Sequence, residues 1–304
     1  MWEMPFKART VPVDLIKLRI LHNRMNLSHE EKRYYLYQEK GFAGEVQFDL
    51  LTEKIRSECY ILNDLVLKIN DTTFQLDTTI IFQKTISLFD VKNSEGDYCF
   101  RNGVFETLAE KEIKNPLDQL KRSKSLFRQF LQKQGYNVSI EGKVVFINPR
   151  FTLYQAPLNE PIIYPTQLDT LMEELNATPS KLTNQNKRLA EKLVSLHERD
   201  SSFIKVPPYD YEQLKKGITC RDCGSFMITV LGKNVVCNDC GCKEIVEAAV
   251  LRNVNEIKLL FPNLKITTKV VHEWCMVVKS KKRISRILER NFKTVGVRNW
   301  TYYE

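Results

Sequence analysis

The chain has 304 residues, 43% hydrophobic and 27% charged, ordinary for a globular protein and enough for two or three domains with a sizeable core. No apolar run reaches the ~18–20 residues that cross a bilayer, and the opening Met-Trp-Glu-Met-Pro-Phe-Lys lacks the apolar stretch of a signal peptide, so a cytoplasmic location is expected. Net charge is +9 and lies at the C-terminal end: residues 220–304 hold 15 Lys and Arg against 8 Asp and Glu, the rest 31 against 29. A basic segment of this kind fits a polyanion, most simply nucleic acid, although a well-solvated surface would have the same composition.

Residues 14–40 read as helical, with Leu15, Leu18 and Leu21 near helical spacing and Ser28-x-x-Glu31 as a capping box before a second helix that Gly41 ends. A third helix is expected from Ala43 through Val46, Phe48, Leu50 and Ile55. Glu45 then lies in its first turn, where an acid favours the helix dipole. Short strands are expected at Cys59–Leu62 and Leu65–Ile69, then longer ones at Thr72–Phe82 and Thr85–Lys92. Strict alternation would put Gln75, Asp77 and Thr79 on one face, and Leu76 and Ile80 on the other. A further strand is expected near Tyr98–Phe100. Asn115-Pro116 starts a helix that runs to Gln134 and stops at Gly135, with Leu120, Phe127 and Leu131 on its apolar face. Val144–Ile147 is expected to close the sheet, residues 150–165 to be an extended connection, and helices to follow at Thr166–Asn176 and Ser180–Glu198.

The chemistry centres on Ser87-Leu-Phe-Asp90-Val91-Lys92-Asn93. Asp90 and Lys92 leave the same face of a strand otherwise fit for burial, which is costly unless they are paired or bound. Antiparallel pairing with the preceding strand would bring Asp77 beside Asp90. Two carboxylates near a lysine make a hard-oxygen site for Mg²⁺ or Mn²⁺. Asp-x-Lys alone recurs by chance as an exposed salt bridge, but here other motifs stand in order around it: Gly41-Phe-Ala-Gly44-Glu45, Gln75-Leu-Asp77, Asp90-Val-Lys92-Asn93-x-x-Gly96 and Asn115-Pro-x-x-Gln119. Over roughly Gly41 to Asn148 this order resembles the NERD family, the nuclease-related domain of the PD-(D/E)xK nuclease superfamily. The family commonly has Glu-Val-Lys where this chain has Asp90-Val91-Lys92; the superfamily accepts either acid. The resemblance implies a restriction-endonuclease-like α+β fold, a mixed central sheet flanked by helices. It also implies metal-dependent phosphodiester hydrolysis. Asp77, Asp90 and the Val91 carbonyl would hold Mg²⁺ or Mn²⁺, Glu45 would orient or share a metal, and Lys92 would activate water or stabilise the phosphate. Gln119 would reach the metal or the DNA, an ordinary surface glutamine being the plainer reading.

Five of the eight cysteines fall between Cys220 and Cys242. Cys220-Arg-Asp-Cys223 and Cys237-Asn-Asp-Cys240, each followed by glycine, form a zinc-ribbon pattern of four thiolates around a structural Zn²⁺, with a hairpin across Gly232-Lys233. Cys242 is the one competing ligand, in place of Cys240. Three short helices are expected at Asn253–Leu260, Thr267–Cys275 and Ser280–Phe292, with a wing-like strand at Val295–Tyr303. The third helix sets Lys281, Lys282, Arg283, Arg286 and Arg290 opposite Ile284, Ile287 and Leu288. A helix-turn-helix would lay such a helix in the major groove; a helical cap with a solvated face is the alternative. The four histidines are isolated, and no Gly-x-Ser-x-Gly, Walker or Gly-x-Gly-x-x-Gly sequence occurs, so histidine catalysis, a histidine-rich metal site and nucleotide-driven motor activity are not expected.

The expected organisation is an N-terminal helical segment (1–40), a nuclease-like domain (41–155), a helical linker (156–212), a zinc ribbon (213–245) and a helix-turn-helix-like basic domain (246–304). The expected function is a Mg²⁺- or Mn²⁺-dependent nuclease acting on DNA, or on RNA, with the ribbon and basic helices supplying affinity. The competing reading is a non-catalytic nucleic-acid-binding module on a nuclease-like fold.

Overall fold

The structure is a computed structural model and describes residues 5–198, 203–297 and 300–304. It forms two compact units, one of Met1–Val11 with Tyr37–Phe203, the other of Pro12–Leu36 with Ile204–Glu304. The opening heptapeptide read for a leader falls partly outside the described residues.

Two helices come first, α1 (Val13–Arg24) and α2 (His29–Thr52). The break expected at Gly41 does not occur. A glycine ends a helix by turning left-handed, and Gly41 is absent from the positive-φ residues. Glu45 therefore sits deep inside α2, and the helix dipole no longer accounts for it. Gly44 has a packing reason instead: a Cβ there would lie 2.5 Å from Asn93 Cβ and 3.1 Å from Ile147 Cγ2. Its absence lets α2 lie close against the strand ends that carry the site.

The first unit continues with β1 (Tyr60–Ile69), β2 (Thr72–Ile81) and β3 (Thr85–Lys92). An excursion of β4 (Gly96–Arg101), β5 (Val104–Thr107) and β6 (Glu112–Ile113) follows. Then come α3 (Pro116–Lys133), β7 (Ser139–Phe146), β8 (Phe151–Tyr154), β9 (Ile162–Ile163), α4 (Leu168–Ala177) and α5 (Asn184–Ser195). The central sheet runs β1-β2-β3-β7-β9, and a second sheet runs β6-β5-β4-β8. Strands β1, β2 and β3 pair antiparallel, while β3 and β7 are parallel, as are β7 and β9. A parallel pair needs a crossover, and α3 supplies it. Asn115 caps α3 by accepting from the Leu117 N–H, with Pro116 in the first turn.

Four expectations for the strands of this unit are corrected. The two short strands around residue 63 are one strand, β1, bent at Asp64 (φ 54°), and the β1–β2 ladder skips the Asp64–Asp77 level. That irregularity breaks strict alternation: Leu76 packs with Phe127 and Phe130 of α3 on one side of the sheet, whereas Ile80 packs with Phe48 and Leu171 on the other. Val144–Ile147 does not close the sheet but lies inside it, between β3 and β9. A parallel strand covered on both faces reads as a continuous apolar run. Val144 and Phe146 pack toward the second sheet, and Val145 and Ile147 toward α2 and α4. The stretch 150–165 likewise holds β8 and β9 instead of a bare connection.

The second unit adds β10 (Ile228–Leu231), β11 (Asn234–Cys237) and β12 (Lys243–Ile245), then α6 (Val246–Leu260), α7 (Thr268–Cys275) and α8 (Lys281–Asn291). Helix α6 starts seven residues before the expected Asn253, because Val246, Ala249 and Val250 continue the buried stripe of Val254 and Ile257. The core gathers these with Leu21, Trp274, Ile284 and Leu288. The expected strand at 295–303 is instead two short ones, β13 (Thr294–Val295) and β14 (Tyr302–Tyr303), which pair antiparallel, with Tyr303 also bridging Ile266. Residues 298–299 of that stretch lie outside the described residues. No helix among the described residues is long and apolar enough to cross a membrane.

Candidate active site and metal centre

The β2–β3 register pairs Thr78 with Phe89, so Asp77 falls at the level of Asp90. The Val91 N–H donates to Asp77 Oδ2 at 2.9 Å, which fixes that carboxylate at the end of β3. The Val91 side chain turns away into the core beside Phe48 and Val145. Lys92 Nζ lies 3.0 Å from Asp90 Oδ1 and 2.9 Å from Asp90 Oδ2, and donates to Gln119 Oε1 at 3.0 Å. Gln119 reaches this point because α3 starts three residues earlier at Pro116, capped by Asn115. Asp77, Asp90, Lys92 and Gln119 are thus gathered at one end of the sheet. Behind them, Asn93 donates to the Lys40 carbonyl at 2.7 Å and accepts from Asn148 at 2.9 Å, tying the strand end to α2 and to the end of β7.

The site is enclosed enough to shift its ionisations. Burial pushes the Asp90 carboxyl up to about 6 against the pull of Lys92, and Asp77 adds to the rise. Burial alone would lower Lys92, but Asp90 and Asp77 outweigh it and hold the side chain as ammonium. Asp90 Oδ2 is buried and meets the Lys92 ammonium at 2.9 Å without a hydrogen bond of good geometry. Buried carboxylate oxygens on two neighbouring acids are the donors a hard cation takes, so these residues fit Mg²⁺ or Mn²⁺.

Glu45 is held elsewhere in the same acidic region. Arg9 Nη1 donates to Glu45 Oε2 at 2.6 Å, Arg9 Nε to Asp49 Oδ2 at 2.8 Å, and Arg9 Nη2 to Asp49 Oδ1 at 3.2 Å and to the Asp77 carbonyl at 2.7 Å. Burial, reinforced by Asp77, raises Glu45 to about 8, with Arg9 opposing. Glu45, Asp77 and Asp90 do not form one tight carboxylate triad: the single set of three or more His, Cys, Asp or Glu side chains whose ligand atoms all lie within 4.8 Å among the described residues is elsewhere. The sequence reading missed Arg9 and Asp49. Asp49 was within reach, since it stands one helical turn after Glu45 on the same face; Arg9 is 36 positions away and carries no local signal.

That set is Cys220, Cys223, Cys237 and Cys240. Cys220 and Cys240 sulfurs are 3.5 Å apart, and those of Cys223 and Cys237 are 3.6 Å apart. Four sulfurs about 2.3 Å from a tetrahedral Zn²⁺ stand ~3.8 Å from one another, so the thiolates fit zinc. Gly224 (φ 72°) and Gly241 (φ 74°) turn each knuckle, and their N–H groups donate to the Cys220 and Cys237 carbonyls at 3.0 Å. Burial raises the Cys220 thiol, but backbone N–H groups of Cys223 and Asp222 outweigh it and bring it to about 7. Cys242 stays outside the set, its carbonyl accepting from the Cys237 N–H at 2.9 Å.

On α8, capped by Ser280 accepting from the Arg283 N–H at 3.2 Å, Lys281, Lys282, Arg286 and Arg290 are exposed. Arg283 is half-buried and donates to the Gly232 carbonyl of the ribbon at 2.9 Å. The expected basic row therefore loses one member to a structural role.

Residues 40–147 match the family model of NERD, the nuclease-related domain. No curated protein and no solved structure matches the chain significantly. The chain thus carries a nuclease-related domain, with a four-cysteine, zinc-ribbon-like segment following it.

Proposed function

We propose, from the premise that residues 40–147 are a nuclease-related domain, that the protein hydrolyses phosphodiester bonds in nucleic acid, DNA in the first place. The observation that carries this reading is the convergence of Asp77, Asp90, Lys92 and Gln119 at one sheet end. Asp77 and Asp90 would hold Mg²⁺ or Mn²⁺, which when bound polarises the phosphate and makes its water more acidic. Lys92, kept protonated by Asp90, places a positive charge where the attacked phosphate gains negative charge. It does not act as a base. Gln119 accepts from Lys92 and aims the ammonium. Glu45 is held by Arg9 and keeps α2 at the sheet edge.

The ribbon would hold one structural Zn²⁺ with no open coordination position, and α8 would bind phosphates through Lys281, Lys282, Arg286 and Arg290. Supercoiled plasmid incubated with the full chain, with and without Mn²⁺ or Mg²⁺, tests the reading. Metal-dependent conversion to nicked or linear DNA is expected. A retarded but intact plasmid would instead establish the binding-module reading.

A further inference from the structure

We infer that Arg9 is a fixed cation of the site: its guanidinium stands in the place of a second divalent ion, so that Asp77 and Asp90 take one ion alone. This rests on the reading of Asp77 and Asp90 as a cation site. Around the guanidinium converge Glu45 Oε2, both oxygens of Asp49 and the Asp77 carbonyl, all within 3.2 Å. Carboxylates and a carbonyl are the donors a hard divalent ion takes. Two-metal phosphodiesterase sites hold their ions ~3.5–4 Å apart on shared ligands, and Asp77 is shared here: its carbonyl faces Arg9 and its carboxylate faces Val91 and Asp90.

Arg9 is not an adventitious visitor. Its side chain is 3% exposed, and the segment that carries it is bonded along β1. Lys7 N–H donates to the Ile61 carbonyl at 3.1 Å and its carbonyl accepts from the Asn63 N–H at 2.9 Å, while Lys7 Nζ donates to the Asn63 and Asp64 carbonyls. Only an arginine has the planar fork that meets acceptors from three residues at once.

The test is Mn²⁺ stoichiometry at the oxygen site, measured by calorimetric titration and by the free-Mn²⁺ spin-resonance signal on the full chain with its zinc retained. The wild type should bind one Mn²⁺, and Arg9→Gln, folded by circular dichroism, should bind two. Arg9→Lys, which keeps the charge, should stay at one. Two ions in the wild type or in Arg9→Lys, or one ion in Arg9→Gln, overturns the inference while leaving the cation site standing. If Arg9→Gln does not fold, Arg9→Met takes its place, with two ions again expected and one ion overturning the inference. No Mn²⁺ bound by the wild type removes the cation site itself, and this inference with it.

Discussion

Lys92 and Gln119, 27 positions apart on β3 and α3, meet at 3.0 Å between Nζ and Oε1. The contact makes Gln119 a positioning residue for the ammonium and separates two effects. Lys92→Ala, which removes the charge, should lower kcat by about 10²–10³-fold. Gln119→Leu, which removes only its support, should cost about 10–100-fold, with both variants folded. Equal losses in steady-state assays would contradict this division of roles.

Glu45 predicts a pH dependence of stability. Its folded pKa, about 8, lies above the ordinary carboxyl value of 4.5 because it is buried near Asp77. Between those values the folded chain holds a proton that the unfolded chain has released, so the contribution falls as pH rises through the window. Below it, both states are protonated and the contribution is complete. In Glu45→Gln no such proton exists. The Tm of Glu45→Gln minus that of the wild type should therefore grow from pH 5 to pH 8. A difference constant across that range would refute the assignment.

Much of the fold was legible because its signals are local. Asn115-Pro116 announces α3, and the paired C-x₂-C knuckles announce a ribbon whose sulfurs converge. The Asp77–Asp90 level follows from antiparallel pairing of two readable strands. What was not legible depends on residues distant in sequence. The continuity of α2 through Gly44 follows from packing on Asn93, not from helix propensity. Leu76 and Ile80 part company because β1 and β2 deform together at Asp64 and Asp77, a tertiary event. Arg9 reaches its carboxylates only because the N-terminal segment lies along β1.

The ribbon has little apolar core of its own, so zinc binding should be coupled to its folding. Cys223→Ser or Cys237→Ser, or chelation of zinc, should unfold residues around 218–242 while the sheet carrying Asp90 stays folded. Hydrogen exchange resolved by segment checks this. Cys242→Ser should leave zinc content at one per chain, because Cys242 lies outside the converging set. Loss of zinc in Cys242→Ser would reassign the ligand.

Lys282, Arg286 and Arg290 stand one turn apart along the exposed side of α8. Each alanine substitution should weaken DNA binding and reduce the slope of log K against log salt by about 0.9 for each phosphate no longer neutralised. Arg283→Ala should leave that slope alone and loosen the ribbon instead, because its guanidinium is spent on Gly232. Anisotropy titrations across a salt series distinguish the two; an unchanged slope in all three exposed variants would make α8 a solvated cap.

The Asp77–Asp90–Lys92 constellation is expected to cut nucleic acid with a bound divalent ion. Its most direct test is the Mn²⁺-dependent cleavage of supercoiled plasmid by the wild type and by Asp90→Ala, each purified identically and shown to be folded with one zinc. The wild type should cleave the plasmid and Asp90→Ala should leave it intact. Cleavage by Asp90→Ala at the wild-type rate would contradict it.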